Sequence, residues 1–179
     1  MLTTFAEEFR RFNILFDRLV NETNLWIART PPDRLEWLPV DNGNVRFGDR
    51  VSHVTIKSLY IHMAVAEHLS IRRLRDCAPG ELLPLPRDPE LTSRLANGDF
   101  LAEGMQLHVE NMRSLRSFDD AVLGKTVRFA GDQTTWSVLG FLWGLFGHRA
   151  YHLGNIDIYV RQADTPAPDF YSFNPKQMA

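Results

Sequence analysis

The sequence predicts an all-α fold, a four-helix bundle with a long connection between the second and third helices. Four long stretches repeat apolar residues at intervals of three and four, which is the spacing of one face of an α-helix. The segments that alternate apolar and polar residues are too short for a sheet domain, and no internal repeat or low-complexity block interrupts the pattern. Facing helices of such a bundle can bring side chains from distant parts of the chain to one interior site.

The first two predicted helices lie in the first half of the chain. The first covers residues 2–29 and is stopped by Pro31 and Pro32, because proline lacks the amide donor and clashes with the preceding turn. The second covers residues 49–75 and ends before Pro79. One apolar stripe runs along the first helix and predicts its buried face; it consists of Phe5, Phe9, Phe12, Phe16, Leu19 and Trp26.

A long connection separates the second predicted helix from the third. Four prolines fall within the 11 residues from Pro79 to Pro89, a density that indicates a stiff, extended segment. The third predicted helix has Pro89 in its first turn and runs through Leu115. Gly98 and Gly104 lower its intrinsic helix propensity, but the apolar spacing continues through both.

The fourth predicted helix is expected to be the most buried one. Residues 126–132 alternate apolar and polar side chains into a turn, which indicates a short extended segment or small hairpin before it. The helix is predicted to begin near Thr134 or Thr135, either of which can cap it, and to continue to about Gln162. It is apolar on nearly every side until His148, as expected of a helix surrounded by others.

Length, charge and cysteine content narrow the class of protein. Residues 1–179 are expected to form one domain, with residues 165–179 as an extended C-terminal tail. A formal net charge of -2 offers no basic field to a phosphate backbone, which argues against nucleic-acid binding. The longest apolar stretch, residues 136–147, has 12 residues and is too short to span a membrane. Because Cys77 is alone, no intramolecular disulfide can form, and a cytoplasmic location is expected.

Two histidines in the fourth helix have the spacing of metal ligands. His148 and His152 are four residues apart, so both imidazoles project from one face about one turn from each other. Pairs at this spacing also arise by chance on solvated faces, so the pair alone leaves metal binding open. Its position at the end of an apolar helix favours a ligand role, because a buried imidazole needs partners.

The residues leave two alternatives for a third ligand. His62 lies on the same face of the second predicted helix as Leu69, and His108 of the third helix is its main rival. His68 and His53 lie about 120° and about 180° around an ideal helix from His62, which indicates surface or second-layer positions. Spacing alone does not choose between His62 and His108.

Three parts of the chain carry a resemblance to a known family. Residues 32–39, PDRLEWLP, follow the pattern leucine, any residue, tryptophan, any residue, proline; His62 is followed by Glu67 five residues later; and the chain closes with a histidine helix, residues 148–161. With these features the chain resembles the DinB-like, or YfiT-like, metalloprotein superfamily over nearly its whole length. Many members have consecutive histidines before Arg-Gly-Gln, where this chain reads Tyr-His-Leu-Gly-Asn at residues 151–155.

The resemblance implies a bundle of the DinB/YfiT-like type that binds one divalent transition metal. Carried over position by position, it implies His62, His148 and His152 as the ligands and so decides against His108. Imidazole ligands suit zinc, which we expect, and also nickel or iron. The resemblance also implies a homodimer, and the many phenylalanines of the first helix suggest an apolar face outside its own core.

Three neutral imidazoles leave an incomplete coordination shell, the arrangement of a catalytic rather than a structural site. The leading prediction is a metal-dependent enzyme of the thiol S-transferase type, acting on a small-molecule substrate with a low-molecular-weight thiol. The alternatives are a metal-dependent hydrolase, a non-catalytic stress-responsive metal- or ligand-binding protein, and a purely structural bundle. Glu67, Glu103 and Asn155 are candidate groups beside the metal, although Glu67 lies about 140° from His62 and is expected to be structural.

Overall fold

The computed structural model describes residues 4–38, 54–130 and 134–162. Helices dominate these residues, and four of them, α1, α2, α4 and α6, form the predicted bundle. The elements in chain order are α1 (Phe5–Arg29), a 3-10 turn (Pro32–Arg34), α2 (Ile56–Asp76), β1 (Glu81–Leu83), α3 (Pro89–Asn97), α4 (Phe100–Leu115), α5 (Asp120–Leu123), β2 (Thr126–Phe129), β3 (Thr135–Ser137) and α6 (Val138–Gln162).

The first two helices end close to where they were predicted to end, but α2 begins later than predicted. Thr4 caps α1 by accepting a hydrogen bond from the amide of Glu7, and the helix ends at Arg29 before the predicted prolines. Thr55 begins α2 with a reciprocal capping box formed with Ser58. The predicted start of α2 near residue 49 lies outside the described residues, and the helix proper starts at Ile56.

The third predicted helix is two helices, which corrects the prediction of one continuous element. The helix α3 ends at Asn97, where the amide of Gly98 bonds to the carbonyl of Arg94. Asp99 then caps α4 by accepting from the amide of Ala102 at 3.0 Å. A glycine followed at once by an aspartate provides both a helix end and a new beginning, so the chain turns here although the apolar spacing continues.

The fourth predicted helix also begins later than predicted, because Thr135, one of its two expected cap residues, belongs to a strand and Thr134 precedes that strand. Residues Thr135–Ser137 pair antiparallel with β2, which confirms the predicted hairpin, and β1 from the proline-rich connection pairs parallel to β2 on its other edge. Ser137, rather than either threonine, accepts a hydrogen bond from the amide of Gly140 at 3.0 Å. Inter-strand pairing therefore moves the start of α6 to Val138.

In the bundle, α1 and α2 lie diagonally opposite each other, and each packs against both α4 and α6. The first apolar cluster joins Phe12 and Phe16 to the end of α2 and the start of α6. The second joins Trp26 to the start of α2 and the end of α6. Since Phe9, Phe12 and Phe16 are buried in this core, they form no apolar outer face, and the homodimer stays a prediction.

No helix in the described part of the chain is long and apolar enough to cross a bilayer. The predicted tail, residues 165–179, lies outside the described residues.

A close approach of α2 and α4 depends on Gly104. A Cβ atom built on Gly104 would lie 2.5 Å from the hydroxyl of Tyr60, which is buried and donates a hydrogen bond to Asn24 of α1 at 2.9 Å. Tyr60 thus connects three helices, and its ring fills the space that a larger residue at 104 would need. Burial raises the pKa of Tyr60 well above its usual range, so the hydroxyl keeps its proton.

We expect Gly104→Ala to destabilise the protein, although alanine is the better helix former by about 1 kcal/mol. Overpacking against Tyr60 should cost about 1–3 kcal/mol, measured as the free energy of unfolding in urea. Gly154→Ala is the matched control, because a Cβ there meets nothing within 4 Å, and it should be neutral or stabilising. Equal effects of the two substitutions would contradict this account of Gly104.

Candidate metal centre

The helices α2 and α6 bring His62, His148 and His152 together. The Nε2 atom of His148 lies 3.0 Å from that of His62 and 3.1 Å from that of His152. The possible ligand atoms of the three rings all lie within 4.8 Å of one another. An ion held at about 2.05 Å in tetrahedral geometry would separate its nitrogen ligands by about 3.3 Å, so the three imidazoles fit a divalent transition metal.

Local geometry explains how each ring reaches the cluster. The four-residue spacing on α6 stacks His148 and His152 one turn apart, and His62 approaches from the facing surface of α2. Each pair of rings makes an edge contact, with interplanar angles of 65°, 85° and 86°, so the three rings do not stack face to face. His152 is fully buried, whereas His62 and His148 are half-buried.

The most buried ring of the cluster, that of His152, is held in its neutral form. Burial, and then the nearby positive charges of His62 and Arg149, lower the pKa of His152 to about 4. A neutral imidazole has a lone pair available at neutral pH, and metal coordination requires that form. The cluster is therefore ready to bind a cation without first losing a proton from His152.

A buried ion pair lies beside the histidines. Arg149, next to His148 in the chain, donates from Nε and Nη2 to the two carboxylate oxygens of Glu67, at 2.6 Å each. Both side chains are almost fully buried, at 2% and 1% exposure. Because α2 carries Glu67 and His62 while α6 carries Arg149 and the other two histidines, this bidentate pair sets the rotation of one ligand helix against the other.

The role of Glu67 agrees with its predicted structural position, but the burial of Arg149 was missed. The available signal was an arginine in a helix that is otherwise apolar on nearly every side, since such a charge needs a buried partner.

The remaining histidines lie elsewhere. His108 donates a hydrogen bond from Nε2 to the carboxylate of Asp17 at 2.9 Å, and burial lowers the pKa of His108. His68 pairs through Nδ1 with Asn111 at 2.9 Å in the interior. Neither ring is in the group that could hold a metal, and His53 lies outside the described residues.

The other residues singled out in the sequence are not among the three that could hold a metal. Glu103 pairs with Arg94 of α3 at 2.9 Å, and Asn155 is half-buried on α6 three residues after His152. Cys77 follows α2 as its C-cap residue. It is buried, and burial raises the pKa of its thiol.

Comparison with solved structures supports the predicted fold. YfiT from Bacillus subtilis, described as a probable metal-dependent hydrolase with an unusual four-helix bundle topology, matches 93% of each chain. The TM-score is 0.69 at 14% sequence identity, so the likeness shows a shared fold. No family model and no curated protein matches the chain.

We expect alanine at His62, His148 or His152 to lower zinc affinity by more than about 100-fold, since losing a residue that merely supports a ligand already costs about 10–100-fold. Competition with a chromophoric chelator measures the affinity, and X-ray absorption should give zinc–nitrogen distances of about 2.0–2.2 Å. His108→Asn is the control and should bind zinc like the wild type. Wild-type affinity in His62→Ala would refute the assignment of that ligand.

We expect Glu67→Ala to lower the free energy of unfolding by about 3–5 kcal/mol, because it leaves the Arg149 guanidinium buried without its carboxylate. The double variant Glu67→Leu, Arg149→Met should recover most of this loss, since it removes both charges. Chemical denaturation of the metal-free proteins gives both values. A single variant within 1 kcal/mol of the wild type would show that the pair does not hold these helices.

Proposed function

We propose that this protein is a divalent-metal-dependent enzyme that transfers a low-molecular-weight thiol to an electrophilic small molecule. The observation that carries the proposal is the convergence of His62, His148 and His152 in a cluster that includes no carboxylate among the residues described. Structural zinc sites are closed by four protein ligands, so a three-histidine site leaves a position for a reactant.

The chain's own residues prepare this site for a cation. His152 supplies a neutral donor, because burial keeps its imidazole uncharged. Arg149 lies close enough to affect His152, and its charge alone would oppose a cation there. Glu67 compensates that charge through two hydrogen bonds and so protects the cation site from it. When bound, a divalent ion supplies Lewis acidity that makes a thiol or a water nucleophilic near neutral pH.

Two features favour a thiol over water as the nucleophile. The two carboxylates considered as groups beside the metal are engaged elsewhere, Glu67 with Arg149 and Glu103 with Arg94. A free thiol has a pKa of about 8.5, against 15.7 for bulk water, so a thiol needs less help to lose its proton. In the transfer, the new sulfur–carbon bond forms as the leaving group departs with its electron pair, and the thiol proton passes to solvent.

The thiol has to come from outside the chain. Cys77 is 15 residues after His62, about 22 Å along a helix, and it is buried against the end of α2. Its Sγ donates to the carbonyl of Leu74 at 3.2 Å instead of facing the cluster. We propose zinc as the metal in the cell, with nickel or iron able to replace it. A cytoplasmic homodimer completes the proposal.

The second candidate function is a metal-dependent hydrolase. The observation that favours it is the likeness in fold to YfiT, which is described as a probable hydrolase of that kind. The same three histidines would serve both reactions, and water would replace the thiol as nucleophile. A product that lacks the added thiol would distinguish hydrolysis from transfer.

We expect His148→Ala to abolish metal-dependent conjugation of a thiol such as glutathione or cysteine to monobromobimane, because it removes one of three ligands. Cys77→Ser should keep nearly all of the activity, since Cys77 takes no part. Mass spectrometry of the product and metal analysis of untagged protein make the measurement. Loss of activity in Cys77→Ser with metal retained would contradict thiol transfer from outside the chain.

Two other outcomes would replace the proposal. Metal-loaded wild type that hydrolyses esters or amides but conjugates no thiol would support the hydrolase. Metal-loaded protein without either activity would support a metal- or ligand-binding protein.

A further inference from the structure

The facing surfaces of α2 and α6 that carry the three histidines also carry residues of a nearby pocket, and the strip between the histidines and that pocket is termed the groove. On α2, His62, Leu69 and Arg73 lie at positions i, i+7 and i+11, which share one face of a helix. On α6, Phe141 and Gly144 precede His148 by seven and four residues and share its face. The helices run antiparallel here, because Leu69 and Phe141 line one pocket while the histidines meet about two turns away.

That pocket has a volume of ≈ 200 Å³ and is mostly apolar. The proline-rich connection from Leu83 to Arg87 forms one side, and α2 and α6 form the others. A cavity of about 150 Å³ can hold a benzene ring, whereas pockets for whole ligands measure about 300–1,000 Å³. The pocket is therefore the right size for one end of a small molecule whose remainder lies in the groove. It is lined by Leu69, Ser70, Arg73, Leu83, Pro84, Leu85, Pro86, Arg87 and Phe141.

Two guanidinium groups give the pocket its charge. Arg73 forms an ion pair with Glu81 and is compensated by it. Arg87 is exposed and has no ion-pair partner in the parts of the chain that the structure describes. The net charge at the pocket is therefore positive, and Arg87 is the group available to a ligand anion.

Gly144 lies on α6 between Phe141, which lines the pocket, and His148. A Cβ atom built there meets nothing within 4 Å in the described structure, and the residue is exposed. Seven residues of helix separate Leu69 from His62 and Phe141 from His148, which is about 10 Å along each axis. An extended molecule of that length could reach from the pocket to the histidine nitrogens.

We propose that this pocket binds the distal end of the substrate, and that this end is a carboxylate on a short apolar chain or ring. Arg87 binds the carboxylate, Leu69, Leu85 and Phe141 contact the apolar part, and the reacting atom lies about 10 Å away at the histidines. The inference rests on the proposed function for the identity of the reacting end, but the pocket and its charge stand independently of it.

The test uses 8-mercaptooctanoate, whose sulfur and carboxylate are about 10 Å apart when extended, and its neutral terminal amide. Calorimetry on the zinc-loaded protein should show the carboxylate binding about tenfold tighter, as expected for one charged hydrogen-bonded contact. Arg87→Gln should abolish this preference and leave 2-mercaptoethanol binding unchanged. Arg72→Gln, an exposed arginine of α2 that lines a different pocket, is the matched control and should keep the preference.

A second pair of variants tests the path along the groove. Gly144→Leu should weaken binding of 8-mercaptooctanoate at least about tenfold, because the leucine side chain would occupy the space that its alkyl chain needs. Binding of 2-mercaptoethanol, which is too short to reach that position, should stay unchanged. Gly154→Leu, at a position equally open but outside the groove between the pocket and the histidines, should bind both thiols like the wild type.

Equal affinity for the acid and the amide, or an unchanged preference in Arg87→Gln, would overturn the inference. Failure of 2-mercaptoethanol to bind the zinc-loaded protein would count against the proposed thiol function instead. In that case the same comparison is made on the metal-free protein with 4-phenylbutanoate and 4-phenylbutanamide, detected by NMR. The acid must again bind more tightly, and lose that advantage in Arg87→Gln, for the carboxylate pocket to stand.

Discussion

The bidentate ion pair between Glu67 and Arg149 is the constraint on which the interior depends. One apolar cluster uses α2 from Ile71 onward and α6 up to Leu145, and the other uses α2 up to Met63 and α6 from Leu153. The ion pair lies between them, at the level where the core changes from one cluster to the other. Two buried charges tolerate little displacement, because the cost of separating them in a low dielectric exceeds that of shifting apolar contacts.

The same pair links packing to chemistry. Its partners stand on the two helices that supply the histidines, and Arg149 is adjacent to His148 in the chain. A rotation of α6 that broke the pair would also turn two of the three rings away from His62. The core therefore holds the three histidines in a fixed arrangement, and it keeps the charge of Arg149 compensated beside the candidate metal centre.

Other buried polar groups occupy the neighbouring turns. His68 pairs with Asn111, His108 with Asp17, and Tyr60 with Asn24, each at 2.9 Å. These contacts connect α4 to α2, α4 to α1 and α2 to α1 with directional bonds. Between α2 and α6, the bidentate pair of Glu67 and Arg149 provides the directional bonds, while Gly144 is exposed and His62 and His148 are half-buried.

The sequence by itself determined the helices α1, α2 and most of α6, the extended connection and the shared face of His148 and His152, because periodicity, prolines and caps act within a few residues. It left His62 and His108 as alternatives, and the resemblance to a family chose between them. Only the tertiary structure decided that His62 meets the pair, that Thr135–Ser137 join a strand, that the chain breaks at Gly98, and that Arg149 is buried on Glu67. Each of these depends on contacts between residues far apart in the chain or on a competition between two local signals, which spacing along one segment does not resolve.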